Sequence, residues 1–270
     1  LGTGARAMIA DGLYERFGRP DVVLGQHVAP LPAGFIGLHP GPAYASTDWL
    51  QVTLFGKGGH GSRPEACVDP IVMAAAIVLR LQTIVSREVA GGDSAVVTVG
   101  TLHAGTKMNI IPDTAELEVN VRSYDPHVRD RVVAAVERII KAEAAASGAP
   151  REPQIVYAAS LPYLYNDPAG SARIGDALRA VVGERLIDPG AVTGSEDVGL
   201  FATEAGVPCV YWLLGGAEPS VFAGAATPAD MIRIMAGIPS NHSSGYAPAI
   251  EPTIGIGVSA LVVAAKEWLG

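Results

Sequence analysis

The fold class predicted is α/β in two parts: a mostly parallel-sheet domain, here incomplete, carrying an inserted ferredoxin-like α+β domain. Three observations predict it. Within residues 46–160 the apolar periodicity switches in the order β-α-β-β-α-β, which is the ferredoxin-like signature. The flanking segments alternate single helices with single strands, the pattern of an α/β layer structure. Finally, 270 residues with 49% hydrophobic and 17% charged side chains suffice for one large or two ordinary compact domains. The expected division is therefore 1–45 with 161–270 as one domain and 46–160 as the insertion.

Each element has a local reason. Ala5 to Phe17 reads as helix and Asp21 to Val28 as strand, the apolar run DVVLGQHV. Alternation through Trp49, Leu50, Gln51, Val52, Thr53 and Leu54 marks a half-buried strand. Asp69-Pro70 then supplies an N-cap and a first-turn proline for a helix whose apolar surface carries Ile71, Val72, Ala75, Ile77, Val78, Leu81 and Ile84. Ser94 to Leu102 and Ala115 to Ser123 read as strands joined by a loop holding Asn109 and Pro112. A second helix runs from Asp125-Pro126 to about Ser147, stopped by Gly148, and a strand follows near Gln154 to Ala159. Beyond it, Ala169 to Val182 is helical, Val207 to Leu214 is an apolar strand and Pro252 to Leu269 is a closing helix. Residues 219–239 read as a surface loop with a short helix around Ala229 to Met235.

Composition narrows the function classes. A net charge of −8 with no basic run argues against a nucleic-acid partner, which calls for clustered Lys and Arg. Apolar stretches such as Ile71 to Leu81 fall short of the roughly 20 residues that span a bilayer, so no membrane span is expected. Cys67 and Cys209 lie far apart and form no CxxC pair, so two free thiols in a reducing cytoplasm are expected. No GxGxxG stands between a strand and a helix, which disfavours a nucleotide-binding protein.

Histidines carry the functional signal. His60 stands on a Gly-Gly-His-Gly turn, where a permissive backbone presents the imidazole outward. His27 ends its strand, and open α/β sheets place ligands beyond the carboxyl ends of their strands; a core histidine with both nitrogens bonded is the other reading. His242 sits in the polar turn PSNHSSGY. Together they point to a metallohydrolase. Glu196 and Asp197 in GSEDV read as first-turn acids of a helix capped near Ser195, rather than as catalytic groups. His39 and His127 lie in solvated settings and receive no role.

The blocks GARAMIADGL, GQHVAPLPAGFIG, GKGGHGSRPE, AVVTVGTLHAGTKMNIIP, GSEDV and SNHS occur in this order. In that order they resemble the aminoacylase/carboxypeptidase metallopeptidases, metallopeptidase family twenty, in the branch of hippurate hydrolase and the auxin-conjugate amidohydrolases. The resemblance covers essentially the whole chain. It implies a metal-dependent hydrolase of N-acyl or N-aroyl amino acids or similar small amides. It also implies two divalent ions (Zn, Mn, Co or Ni), His27 and His242 being ligands of different metals. His60 is then an oxyanion-stabilising residue, Asn109 and Arg122 hold the substrate carboxylate, and His103 lies on the substrate side. These lid residues are expected to reach the site of the opposite subunit in a homodimer built through the inserted domain. The family's first metal-ligand motif and glutamate pair, expected just before Leu1, have no counterpart in the chain. The chain is therefore expected to lack its N-terminal catalytic segment, to hold metal weakly or not at all and to be inactive alone. A noncatalytic dimerisation or binding module is the rival reading.

Overall fold

The chain is described by a computed structural model over residues 2–269. It begins with α1 (Thr3–Ala10), α2 (Leu13–Phe17), β1 (Val23–Pro32), β2 (Ile36–Gly37) and β3 (Gly41–Tyr44). Next come β4 (Ser46–Phe55), β5 (Gly59–His60), α3 (Pro70–Arg87), β6 (Ala95–Ala104), β7 (Ile110–Ile111), β8 (Thr114–Ser123), α4 (Pro126–Ala146) and β9 (Gln154–Leu161). The remainder comprises β10 (Leu164–Asn166), α5 (Pro168–Val182), β11 (Leu186–Ile187), α6 (Val198–Ala205), β12 (Cys209–Ala217), α7 (Pro228–Gly237) and α8 (Thr253–Leu269).

The first of two compact units comprises Tyr44–Tyr163 and Thr193–Glu196. Its sheet has the order β6-β8-β4-β9 and is antiparallel throughout. Along β8, Ala115, Leu117, Val119 and Val121 are buried while their neighbours turn outward, because successive strand residues face opposite ways. Met73, Ile77, Leu81 and Ile84 of α3 and Val132, Val136 and Ile140 of α4 fill the inner face. Both helices begin as their Asp-Pro pairs predict. Asp69 Oδ1 accepts from the Ile71 N–H at 2.8 Å, and Asp125 Oδ1 accepts from His127 and Val128 at 2.8 and 2.9 Å, pairing donors that a helix N-terminus leaves unmatched.

The apolar surface of α3 departs from expectation. Ile71, Val72 and Ala75 face outward, and Val72 and Leu79 are 65% and 74% exposed, while Met73 and Ala74 are buried. The helix is apolar on two sides, one packed on the sheet and the other uncovered. By length and composition alone this 18-residue helix could cross a membrane, and one side of it packs on the sheet. A fully buried Asp48 on β4 is held by Arg129 through Nε and Nη2, at 2.7 and 2.6 Å, and by the Ser160 hydroxyl at 2.8 Å. That pairing meets the condition for burying a charge.

The second unit comprises Gly2–Ala43, Leu164–Val192 and Asp197 to the C-terminus. Its sheet order is β1-β12-β2-β11, parallel except between β12 and β2. The core joins Trp212 and Leu214 of β12 to Ile174 and Leu178 of α5 and Ala260 and Ala264 of α8. Two boundaries differ from the sequence reading. The N-terminal helix breaks at Gly12, whose φ of 82° only glycine adopts freely. β1 does not stop at Val28; its pairing with β12 continues to Pro32↔Ala217, so His27 lies inside a strand. Residues 219–239 contain α7, begun by a capping box between Thr227 and Asp230.

Candidate active site

His60 and Asn109 are brought together by a short ladder. β5 pairs antiparallel with β7, His60 opposite Ile110, and the Gly61 N–H donates to the Asn109 carbonyl at 2.8 Å. Glycines permit this approach: a Cβ on Gly58 would stand 2.7 Å from the Ile111 carbonyl oxygen. The His60 ring is exposed, and its Nδ1 accepts from the Ser62 backbone N–H at 3.1 Å, with the Ser62 hydroxyl at 2.7 Å. Because Nδ1 is an acceptor, the neutral imidazole carries its proton on Nε2. The turn thus presents one outward donor.

Arg122 does not join them. It stands near the far end of β8, and the eight residue-to-residue steps from Thr114 to Arg122 span about 27 Å of extended chain. Its neighbours are Asn120, whose Oδ1 accepts from Nε at 3.0 Å, and the 193–195 segment. There the Thr193 carbonyl and the Ser195 hydroxyl lie 2.8 and 3.2 Å from Nη1. The insertion thus carries two polar centres at opposite ends of β8, with His60 and Asn109 at one and Arg122 at the other. The reading of Ser195 is corrected, since its hydroxyl serves Arg122. Asp197 occupies the N-cap position of α6 without a side-chain capping bond. His103 is exposed on β6, opposite Glu116 of β8.

In the second unit His27 is exposed midway along β1, with Nδ1 2.6 Å from the Val28 carbonyl. Nδ1 is the donor in that contact, which leaves the Nε2 lone pair available to a cation. Asn241, next to His242, donates through Nδ2 to the same carbonyl, so the SNHS turn lies against β1. His242 is exposed. No group of three or more His, Cys, Asp or Glu suited to a metal occurs among the described residues, and structural sites usually take four ligands, so these residues alone do not complete one. His39 instead pairs with Asp188 through Nδ1 at 2.8 Å. The sequence reading passed over Ser62, Asn120 and Asn241, each two residues or fewer from, or in contact with, a predicted site residue. For Asn120 the available signal was an amide two positions from Arg122 on the same face of β8.

Residues 46–147 match the peptidase dimerisation domain of the M20 family. The N-acetyl-L-cysteine deacetylase of Bacillus subtilis is 35% identical over 197 residues, covering 73% of this chain and 46% of that protein. Hippurate hydrolase of Campylobacter jejuni is 41% identical over 145 residues, 53% of this chain and 38% of that protein. A solved Bacillus subtilis structure, described as a dinuclear metal binding peptidase from the M20 family, matches with a TM-score of 0.71 at 24% identity. That match covers 99% of this chain and 61% of that one. The chain spans about half the length of the curated relatives it matches. With this fold, these relatives and the matched domain, the chain belongs to the M20 peptidase family, and residues 46–147 are its dimerisation domain.

Proposed function

We propose that this chain is part of a metal-dependent amidohydrolase that cleaves N-acyl or N-aroyl amino acids or related small amides. The observation that carries this reading is the tautomer of His60. Ser62 fixes Nδ1 as the acceptor, so Nε2–H is a preorganised donor, suited to the carbonyl oxygen as negative charge develops on it. Asn109, on the same ladder, is the second polar group there. Arg122 provides the cation for the substrate carboxylate, and His103 lies on the substrate side.

A small substrate cannot bridge the two ends of β8 within one chain. A homodimer resolves this, because a twofold partner can bring its His60–Asn109 end to the Arg122 end of the first. The exposed stripe Val72 and Leu79 on α3 and the open edge of β6 support pairing through this domain, since uncovered apolar faces and free strand edges call for a cover. His27 and His242 each contribute one ligand to a pair of divalent ions (Zn, Mn, Co or Ni). Such a pair, when bound, activates a water and polarises the scissile carbonyl. A cytoplasmic location belongs to the same reading and is supported by two free cysteines.

The test is made in a polypeptide that joins this chain to the remaining length of its family. There His60→Ala should lower kcat on hippurate by about a hundred-fold or more with KM little changed, as loss of one oxyanion donor does. Unchanged turnover would leave the chain a dimerisation module without a catalytic contribution from this turn.

A further inference from the structure

A guanidinium has five N–H donors, one on Nε and two on each Nη. In Arg122 three are committed. Nε donates to Asn120 Oδ1 at 3.0 Å, and Nη1 donates to the Thr193 carbonyl at 2.8 Å and to the Ser195 hydroxyl at 3.2 Å. Both remaining protons are on Nη2.

Asn120 is itself fixed. Its Nδ2 donates to Thr47 Oγ1 at 2.7 Å and to the Asp48 carbonyl at 3.2 Å, so its amide cannot flip without setting oxygen against the Asp48 carbonyl and an N–H against Arg122 Nε. Thr47 and Asp48 are fully buried on the neighbouring strand, and Asp48 is clamped by Arg129 and Ser160. A continuous polar chain therefore runs from a buried ion pair through Asn120 to the guanidinium. Arg122 and Asn120 share a face of β8, two residues apart, with Thr47 directly across from Arg122.

We infer that Asn120 is a positioning residue that, with Thr193 and Ser195, leaves Nη2 as the only free nitrogen of Arg122, so that the site engages a carboxylate end-on through one nitrogen. The two-nitrogen fork that usually gives arginine its carboxylate selectivity is closed on both of its edges, since each edge contains a committed nitrogen. This rests on the reading of Arg122 as the substrate-carboxylate residue. It deepens that reading by making the 193–195 segment and Asn120 determinants of how the carboxylate is held.

The experiment uses the 270-residue chain with nitrogen-15-labelled arginine. The Nε–H of Arg122 should exchange with water at least about ten-fold more slowly than that of an exposed arginine, as a committed donor does. Asn120→Ala should abolish that protection. Ser195→Ala, on a loop outside the sheet, should free one Nη1 proton and leave Nε–H protected; it remains informative if Asn120→Ala unfolds. In parallel, hippurate and hippuramide are titrated as the carboxylate probe and its neutral counterpart. The preference for hippurate should rise in Asn120→Ala, by up to about ten-fold, because the freed Nε beside Nη2 reopens a two-nitrogen edge for the carboxylate. An unprotected Nε–H in the unmodified chain, or protection unchanged in Asn120→Ala, overturns the positioning role. A hippurate preference absent from the unmodified chain, or equal in Arg122→Ala, instead overturns the carboxylate reading and leaves the hydrogen-exchange result to judge Asn120 separately.

Discussion

In the first unit every strand of the four-stranded sheet is eight or ten residues long, whereas in the second only β1 and β12 reach nine or ten, and β2 and β11 have two residues each. The first sheet is closed on one face by two helices that both begin with an aspartate cap. The second depends on one long parallel ladder, with α5 and α8 packed around Trp212. Stability is therefore distributed differently. The first unit spreads it over three long ladders and contains a buried ion pair at Asp48, while the second concentrates it in the β1–β12 pair, so segments joined by short ladders should open first.

The largest expected effect tests the ion pair. Arg129→Ala leaves Asp48 buried and without its main partner, which should destabilise the first unit by about 3–5 kcal/mol. Hydrogen exchange read by segment should show faster exchange in β4, β8 and α4 with β1 and β12 unchanged. Equal acceleration in both units would mean that they unfold as one and would break the comparison. Arg129→Met, which retains volume without charge, should remain as damaging as alanine if the uncompensated carboxylate is the cause.

Helix caps sharpen the contrast at a smaller scale. Asp125→Ala and Thr227→Ala each remove a side-chain cap, worth about 1 kcal/mol. The first should appear in the urea midpoint of the whole first unit, because α4 is sewn into the core through Val132, Val136 and Ile140. The second should appear only as faster exchange within α7, none of whose described side chains is buried. A global shift from Thr227→Ala would show that α7 contributes more to the second unit than its exposure implies.

The smallest stability change, and the sharpest one for assembly, belongs to Leu79→Glu. At 74% exposure this position should alter the midpoint by less than about 0.5 kcal/mol. Sedimentation should nevertheless shift from dimer to monomer if α3 forms the proposed interface. A dimer that persists at micromolar concentration would redirect attention to the β6 edge.

Local chemistry made much of this legible. Asp69-Pro70 and Asp125-Pro126 announced their helices because a carboxylate before a first-turn proline satisfies backbone donors without long-range help. Strict alternation on β8 announced its two faces. Where the reading failed, partners were remote. Ile71 and Val72 looked buried because periodicity reports an apolar stripe without saying whether anything covers it. His27 looked terminal because the pairing that extends β1 to Pro32 depends on β12, nearly 190 residues away.

The sequence by itself determined the order of the long helices and strands, the ferredoxin-like insertion and the outward posture of His60, which rest on local periodicity, capping and glycine-turn chemistry, and its ordered motif blocks determined the family. Only the tertiary structure decided that His60 and Asn109 sit at one end of β8 and Arg122 at the other. It alone also showed that Asn120, Thr193 and Ser195 occupy three of the five donors on that arginine. Hydrogen-bond partners are fixed by strand register and by segments distant in sequence, and neither is written in the residues that flank Arg122.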